Sequence, residues 1–180
     1  MAAAVIGVVG PSGVGKDTVM QEMAARNPEV VLIRRVITRP SSAGGEAFDG
    51  VSEAEFRAME TAGHFILCWQ AHGLSYGIPR AQFEAIGSDG VALVNLSRAV
   101  LDTARARFEG FRVLSLVAPN DVLAARLGAR GREDAADISA RLERAGYTRP
   151  TGSDVIEISN DGDLNDTLGA IWAALYPESA

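Results

Sequence analysis

Seven consecutive residues carry the clearest chemistry in this chain: Gly10-Pro11-Ser12-Gly13-Val14-Gly15-Lys16. Their spacing is Gly-x4-Gly-Lys. The glycines of such a loop let successive backbone N–H groups turn inward on phosphate oxygens. Lys16 adds a full positive charge within reach of the β- and γ-phosphates of a nucleoside triphosphate. A helix opening at this point adds the partial positive charge of its N-terminus. The alternative is a glycine-rich strand-to-helix turn that holds nothing. It is disfavoured because an apolar β-branched run, Ala4 to Val9, precedes the loop and a helical pattern from Asp17 to Ala25 follows it. Gly10 to Lys16, with Asp17 and Thr18, are therefore the expected ATP-binding residues.

The residue after the lysine is normally Ser or Thr, whose hydroxyl ligates Mg²⁺. Here it is Asp17, followed by Thr18. Asp17 either holds Mg²⁺, directly or through water, or caps the N-terminus of the helix; the sequence leaves both open. In many enzymes with this loop a second apolar strand ends in an aspartate near the metal. The corresponding run here, Val91-Ala92-Leu93-Val94, leads to Asn95, which carries no charge.

Of the 17 basic residues, Lys16 is the one lysine and the rest are arginines. Arg130, Arg132 and Arg141 surround a Gly128-x-x-Gly131 break, which reads as a mobile lid over about 128–141 that closes on phosphates. The competing reading is a solvated basic helix face balanced by Glu133, Asp134 and Asp137. Arg98 follows the strand ending at Asn95, so it is placed at the carboxyl ends of the strands, where α/β sheets bind ligands; otherwise it is a surface residue at a helix start. Asn160-Asp161-Gly162 is, on its own, a plain turn.

The elements that must position these residues alternate. Strands are expected at Ala4–Val9, Val30–Ile37, Phe65–Gln70, Leu74–Ile78, Val91–Leu96, Arg112–Val117 and Val155–Ile158. Helices are expected from Asp17, from the capping box Ser52-Glu53-Ala54-Glu55, and over Arg98–Phe108, Asp121–Leu127, Ile138–Arg144 and Leu164–Leu175. Pro40 to Gly50 reads as a loop. This order predicts an α/β fold with a doubly wound, mainly parallel sheet, helices on both faces, and an irregular insertion over about 36–80. The 180 residues carry a net charge of −6, which argues against a general nucleic-acid binder. Cys68 has no second cysteine to pair with, which fits a reducing cytoplasm. No apolar run reaches the length of a membrane span.

The chain resembles the guanylate kinase-like P-loop kinases over nearly all of its length. The residues that carry the likeness are the loop itself, Ile37-Thr38-Arg39-Pro40, Val51-Ser52-Glu53-Ala54-Glu55-Phe56 and Gly63-His64-Phe65. To these are added His72-Gly73-Leu74-Ser75-Tyr76-Gly77, Arg126-Leu127, Gly131-Arg132-Glu133 and Asn160-Asp161. The guanine readers of that family are absent: Leu67 stands where it has a glutamate, Arg35 where it has a serine, and Asn95 and Ser97 where it has two aspartates. The second phosphate-binding arginine of that family is also missing, its place falling near Ser42. A narrower resemblance is to the ribose 1,5-bisphosphate phosphokinases of phosphonate breakdown. It rests on Gly15-Lys16-Asp17, Ile37-Thr38-Arg39, Trp69-x-Ala71-x-Gly73-Leu74-x-Tyr76-Gly77, Val94-Asn95-x-Ser97-Arg98-Ala99, Gly131-Arg132-Glu133 and Asn160-Asp161-Gly162.

That resemblance implies a single kinase domain over 1–180, with ATP as donor and Mg²⁺ as its cation. It implies ribose 1,5-bisphosphate as acceptor and 5-phospho-α-D-ribose 1-diphosphate as product. Lys16, Arg130, Arg132 and Arg141 would act on the transferring phosphoryl group. Arg35, Arg39, Tyr76 and Arg98 would hold the acceptor, and Asn160 would lie at the adenine loop. The partners would be small molecules, with neither nucleic acid nor membrane; the sequence does not report oligomeric state. Two rivals remain: a nucleoside monophosphate kinase such as a guanylate kinase, and a non-catalytic ATP-binding scaffold.

Overall fold

A computed structural model describes residues 3–43, 46–129 and 147–177, together with Ile138 and Leu142. The described chain falls into two compact units, Met1–Gly7 with Met20–Arg112, and Val8–Val19 with Val113–Ala180. The fold is α/β, with mainly parallel strand pairing and helices between the strands.

The first unit contains β2 (Val30–Leu32) and β7 (Val91–Asn95), which pair in parallel from Val30 opposite Val91 to Leu32 opposite Leu93. The first four residues of β1 (Ala4–Val9) lie beside β7. All five residues of β7 are buried, which is why it reads as a continuous apolar run instead of an alternating one. Gly7 lies where a Cβ would stand 2.6 Å from the Phe111 ring, so the aromatic side chain packs directly on the strand backbone.

The expected strand Val30–Ile37 is two strands. After Leu32 the chain leaves the parallel sheet, and β3 (Arg35–Ile37) enters a second sheet of order β4-β3-β6-β5. The crossing point is Arg34. Its N–H donates to the Gln82 carboxamide oxygen at 2.8 Å, and its carbonyl accepts from Gln82 Nε2 at 2.6 Å. Both backbone groups of the residue between sheets are thereby satisfied by one side chain. Gln82 lies on α3 (Arg80–Glu84), a short helix that the sequence pattern does not announce.

The second sheet is built on a hairpin of β5 (Phe65–Ala71) and β6 (Leu74–Pro79), joined at His72-Gly73, both in the left-handed region at φ 53° and 74°. Two positive φ values match a type I′ turn, whose twist suits a two-residue hairpin. β3 pairs antiparallel with β6 and parallel with β4 (Phe48–Gly50), a strand inside the expected loop Pro40–Gly50. One face of this sheet packs against α2 (Glu53–Thr61) through Val36, Phe56 and Phe65, the two rings being 4.7 Å apart. The helix begins at the expected capping box: Ser52 Oγ accepts from the Glu55 N–H, and the Glu55 carboxylate accepts from the Ser52 N–H. The expected helix after Asn95 opens as a 3-10 turn, Arg98–Val100, and continues as α4 (Leu101–Arg107).

In the second unit β8 (Arg112–Val117) pairs in parallel with β9 (Val155–Ser159) from Val113 opposite Val155 to Val117 opposite Ser159. α5 (Asn120–Ala129) and α6 (Leu164–Leu175) supply its helical cover, with Leu123, Leu168 and Ile171 buried. α5 runs through Gly128 and Ala129, which were expected to begin a break. A helical glycine costs only about 1 kcal/mol relative to alanine, and the preceding two turns carry it. The rest of the expected lid, with Arg130, Arg132 and Arg141, lies outside the described residues.

Candidate functional site

The phosphate loop belongs to the second unit. Val8 and Val9 end the buried strand, and the loop turns at Val14, whose N–H donates to the Pro11 carbonyl at 3.3 Å. Gly13 and Gly15 have φ of 84° and 92°, values that any side chain would strain. Space forbids a side chain there as well: a Cβ on Gly13 would stand 2.9 Å from the Leu127 side chain, and one on Gly15 2.9 Å from Asn160 Nδ2. The helix α1 (Lys16–Arg26) starts immediately, with the Val19 N–H donating to the Gly15 carbonyl at 3.0 Å. Its first-turn N–H groups therefore open onto the loop, the arrangement that binds anions.

Lys16 Nζ donates to the carbonyls of Gly10 at 2.9 Å and Pro11 at 3.4 Å, so the ammonium lies across its own loop. Asp17 and Thr18 follow in the first turn of α1. Among the described residues there is no group of three or more His, Cys, Asp or Glu side chains able to hold a metal alone. One carboxylate and one neighbouring hydroxyl fit a Mg²⁺ that keeps phosphate and water oxygens in its shell, the usual way this ion is bound beside a nucleotide.

The loop carbonyl of Val14 has two donors. Asn160 Nδ2 approaches it at 2.7 Å and Arg126 at 3.3 Å. Asn160 is 6% exposed; its Oδ1 accepts from Thr167 Oγ1 at 2.9 Å, and its own N–H donates to the Val117 carbonyl at 2.8 Å. A connected chain thus runs from α6 through Thr167 and Asn160 to the loop. The family resemblance marked Asn160, at the adenine loop, but neither Thr167 nor this use of Arg126 was singled out, because a buried hydrogen-bond chain has no periodicity to reveal it.

The expected acceptor residues lie in the first unit. Arg35, Tyr76 and Trp69 occupy one face of the second sheet, across β3, β6 and β5. Tyr76 stands opposite Trp69 in register, and their rings stack at 5.2 Å with 5° between planes. The Arg35 guanidinium lies 5.0 Å from the Tyr76 ring centre and 5.9 Å from that of Trp69, a cation over an aromatic pair. Arg35 is ion-paired with Glu46, and the same carboxylate accepts from Asn95 Nδ2 at 2.9 Å. Glu46 was not singled out from the sequence. Arg39 lies over the Phe48 ring at 4.4 Å. Arg98 is exposed at the first position of the 3-10 turn after β7. Leu67 is 3% exposed and pairs with Ile78, which is wholly buried, so this part of the sheet is apolar.

No protein-family model matches the chain. Similarity to individual proteins is extensive. The chain is 51% identical over 179 residues to the ribose 1,5-bisphosphate phosphokinase PhnN of a Ruegeria species, covering 98% of this chain and 93% of that protein. It is 45% identical over 171 residues to the ribose 1,5-bisphosphate phosphokinase PhnN of Agrobacterium fabrum, covering 93% of each. Among solved structures, a guanylate kinase from Anaplasma phagocytophilum superimposes with a TM-score of 0.62 over 98% of this chain and 86% of that one, at 18% identity, a likeness of fold. The phosphate loop, the order of the elements and this degree of identity lead to one assignment: the chain belongs to the ribose 1,5-bisphosphate phosphokinase PhnN family.

Proposed function

We propose that this chain transfers the γ-phosphoryl group of ATP to the C1 phosphate of ribose 1,5-bisphosphate, giving 5-phospho-α-D-ribose 1-diphosphate and ADP. The observation that carries the choice of acceptor is Leu67, buried at 3% exposure on the sheet that bears Arg35 and Tyr76. A guanine base needs acceptors for its N–H groups, and an apolar wall leaves each donor unpaired at a cost of about 1–3 kcal/mol. A sugar bisphosphate brings no base edge to that wall. The names of the relatives at 51% and 45% identity support the same acceptor.

The chemistry asks little of a general base. The acceptor phosphate is already ionised near neutral pH, so an oxygen of it attacks the γ-phosphorus while the β–γ bridging oxygen leaves with ADP. Catalysis is then positioning and neutralisation of charge. In this reading the loop amides from Gly10 to Gly15, with Lys16, Asp17 and Thr18, hold the triphosphate. Asn160 acts through the loop carbonyl it holds. Arg39 and Tyr76 take an acceptor phosphate, with Arg35 and Arg98 beside the acceptor. Arg130, Arg132 and Arg141, outside the described residues, would close on the phosphates. Asp17, with Thr18 beside it, would hold a Mg²⁺, which would supply charge neutralisation to the triphosphate. Small molecules are its partners, and the cytoplasm its compartment.

The test is one incubation with ATP and Mg²⁺ against ribose 1,5-bisphosphate or GMP, following ADP and product. Production of 5-phospho-α-D-ribose 1-diphosphate with negligible GMP turnover is expected. Comparable rates on the two acceptors would overturn the assignment.

A further inference from the structure

Two departures from the guanylate kinase pattern, Arg35 and Asn95, meet at one carboxylate. Glu46 is ion-paired with Arg35, the side chains being 11% and 16% exposed, and it accepts from Asn95 Nδ2 at 2.9 Å. Arg35 belongs to β3 of the second sheet and Asn95 ends β7 of the parallel sheet. Both side chains present N–H donors to that carboxylate, a guanidinium from Arg35 and a carboxamide from Asn95. Glu46 is thus a part-buried carboxylate held between two donors from different strands.

An ionised carboxylate has about four acceptor sites on its two oxygens. The described contacts use one on each: Oε1 faces Arg35 and Oε2 faces Asn95. Among the described residues, each oxygen keeps one further acceptor site. Charge also decides what can approach. Glu46 offsets the charge of Arg35, so this corner is close to neutral and repels a phosphate dianion in contact with the carboxylate. It favours a neutral group that donates two hydrogen bonds side by side. A pentose carrying phosphates at both ends has such a group between them, the adjacent hydroxyls at C2 and C3.

We propose that Glu46 is the sugar-reading residue of the acceptor pocket: its carboxylate, oriented by Arg35 and Asn95, accepts from the vicinal hydroxyls of the pentose. This rests on the acceptor being a pentose bisphosphate. Glu46 then sets the selectivity for ribose over its 2-deoxy counterpart, because a missing hydroxyl leaves a part-buried charged acceptor underused.

The experiment measures kcat/KM for ribose 1,5-bisphosphate and for 2-deoxyribose 1,5-bisphosphate in the wild type, in Glu46→Gln and in Glu46→Asp. The wild type is expected to prefer the ribose compound by about tenfold to a hundredfold, the range for a hydrogen bond to a charged group. Glu46→Gln should bring the ratio close to one, chiefly by raising KM for the ribose compound. If Glu46→Gln fails to fold, Glu46→Asp keeps the counter-charge for Arg35 but shortens the reach, and it should lower the ratio at least severalfold. Two results overturn the proposal. An equal loss on both acceptors means that Glu46 is only a tie between Arg35 and Asn95. Tighter binding of both means that Glu46 competes with an acceptor phosphate for Arg35. A wild type inactive on ribose 1,5-bisphosphate would instead show the kinase assignment itself to be wrong, and this proposal would fall with it.

Discussion

Asn160 holds Val14: its carboxamide nitrogen donates to the loop carbonyl at 2.7 Å, and Thr167 Oγ1 fixes the other end of the amide at 2.9 Å. Pointing the Val14 carbonyl outward turns the following N–H toward the phosphate side, since the two belong to one planar peptide. Asn160→Asp puts an acceptor against an acceptor. We expect a KM for ATP raised at least severalfold, with a smaller change in kcat, and a melting temperature lowered by several degrees. The loss of a buried hydrogen bond is about 1–3 kcal/mol. Thr167→Ser, which keeps the hydroxyl, should restore most of the ATP affinity that Thr167→Val loses. Equal ATP affinity in Thr167→Val and wild type would rule the chain out as a positioning device.

Lys16→Ala should reduce phosphoryl transfer by orders of magnitude with the fold retained, as read by circular dichroism and steady-state rates. Lys16→Arg should also be severely impaired. The ammonium sits between two loop carbonyls 2.9 and 3.4 Å away, a place sized for a compact charge and not for a planar guanidinium. Near-normal turnover in Lys16→Arg would contradict this.

Asp17 is expected to depend on Mg²⁺. A carboxylate in the first turn of α1 adds negative charge beside a triphosphate, which is repulsive unless a cation intervenes. Asp17→Asn should raise the Mg²⁺ concentration giving half-maximal rate, while metal-free ATP binding stays equal or tightens. An unchanged Mg²⁺ dependence would leave Asp17 as a helix cap.

Cys68 should be a sluggish nucleophile. Partial burial, reinforced by the hydrogen bond from its thiol to Glu60 at 3.1 Å and by the Glu60 charge, pushes the thiol from 9.0 up to about 11. The thiolate is the attacking form and less of it is present at pH 8, so alkylation there should be slower than for a free thiol. Glu60→Gln should speed it. The raised value favours the neutral thiol in the fold. Its contribution to stability is therefore full below pH 9 and fades as pH rises through about 11. Equal alkylation rates for Glu60→Gln and wild type would remove Glu60 as a cause.

The loop was legible because each of its signals is local: strand, glycine spacing, lysine and helix onset occupy residues 4–26 without interruption. The capping box at Ser52 and the two strands that flank His72-Gly73 were legible for the same reason. The break at Arg34 was not. Val30–Ile37 is uniformly β-prone, and what divides it is Gln82, 48 residues away. Glu46 was hidden similarly. It sits in a segment that reads as a loop, and its meaning comes from Asn95, 49 residues on. Residues whose role is a long-range hydrogen bond leave no mark in spacing, whereas those whose role is backbone geometry do.

Lys16 lies with its ammonium between the carbonyls of Gly10 and Pro11, and no other lysine occurs in the sequence. Side-chain amine chemistry therefore has one address. Nitrogen-isotope labelling of lysine would give a single ammonium resonance, reporting the state of the loop without assignment. A lysine acetyltransferase that modifies a side chain of this protein has Lys16 as its one target, and on the proposed function bound nucleotide should shield it.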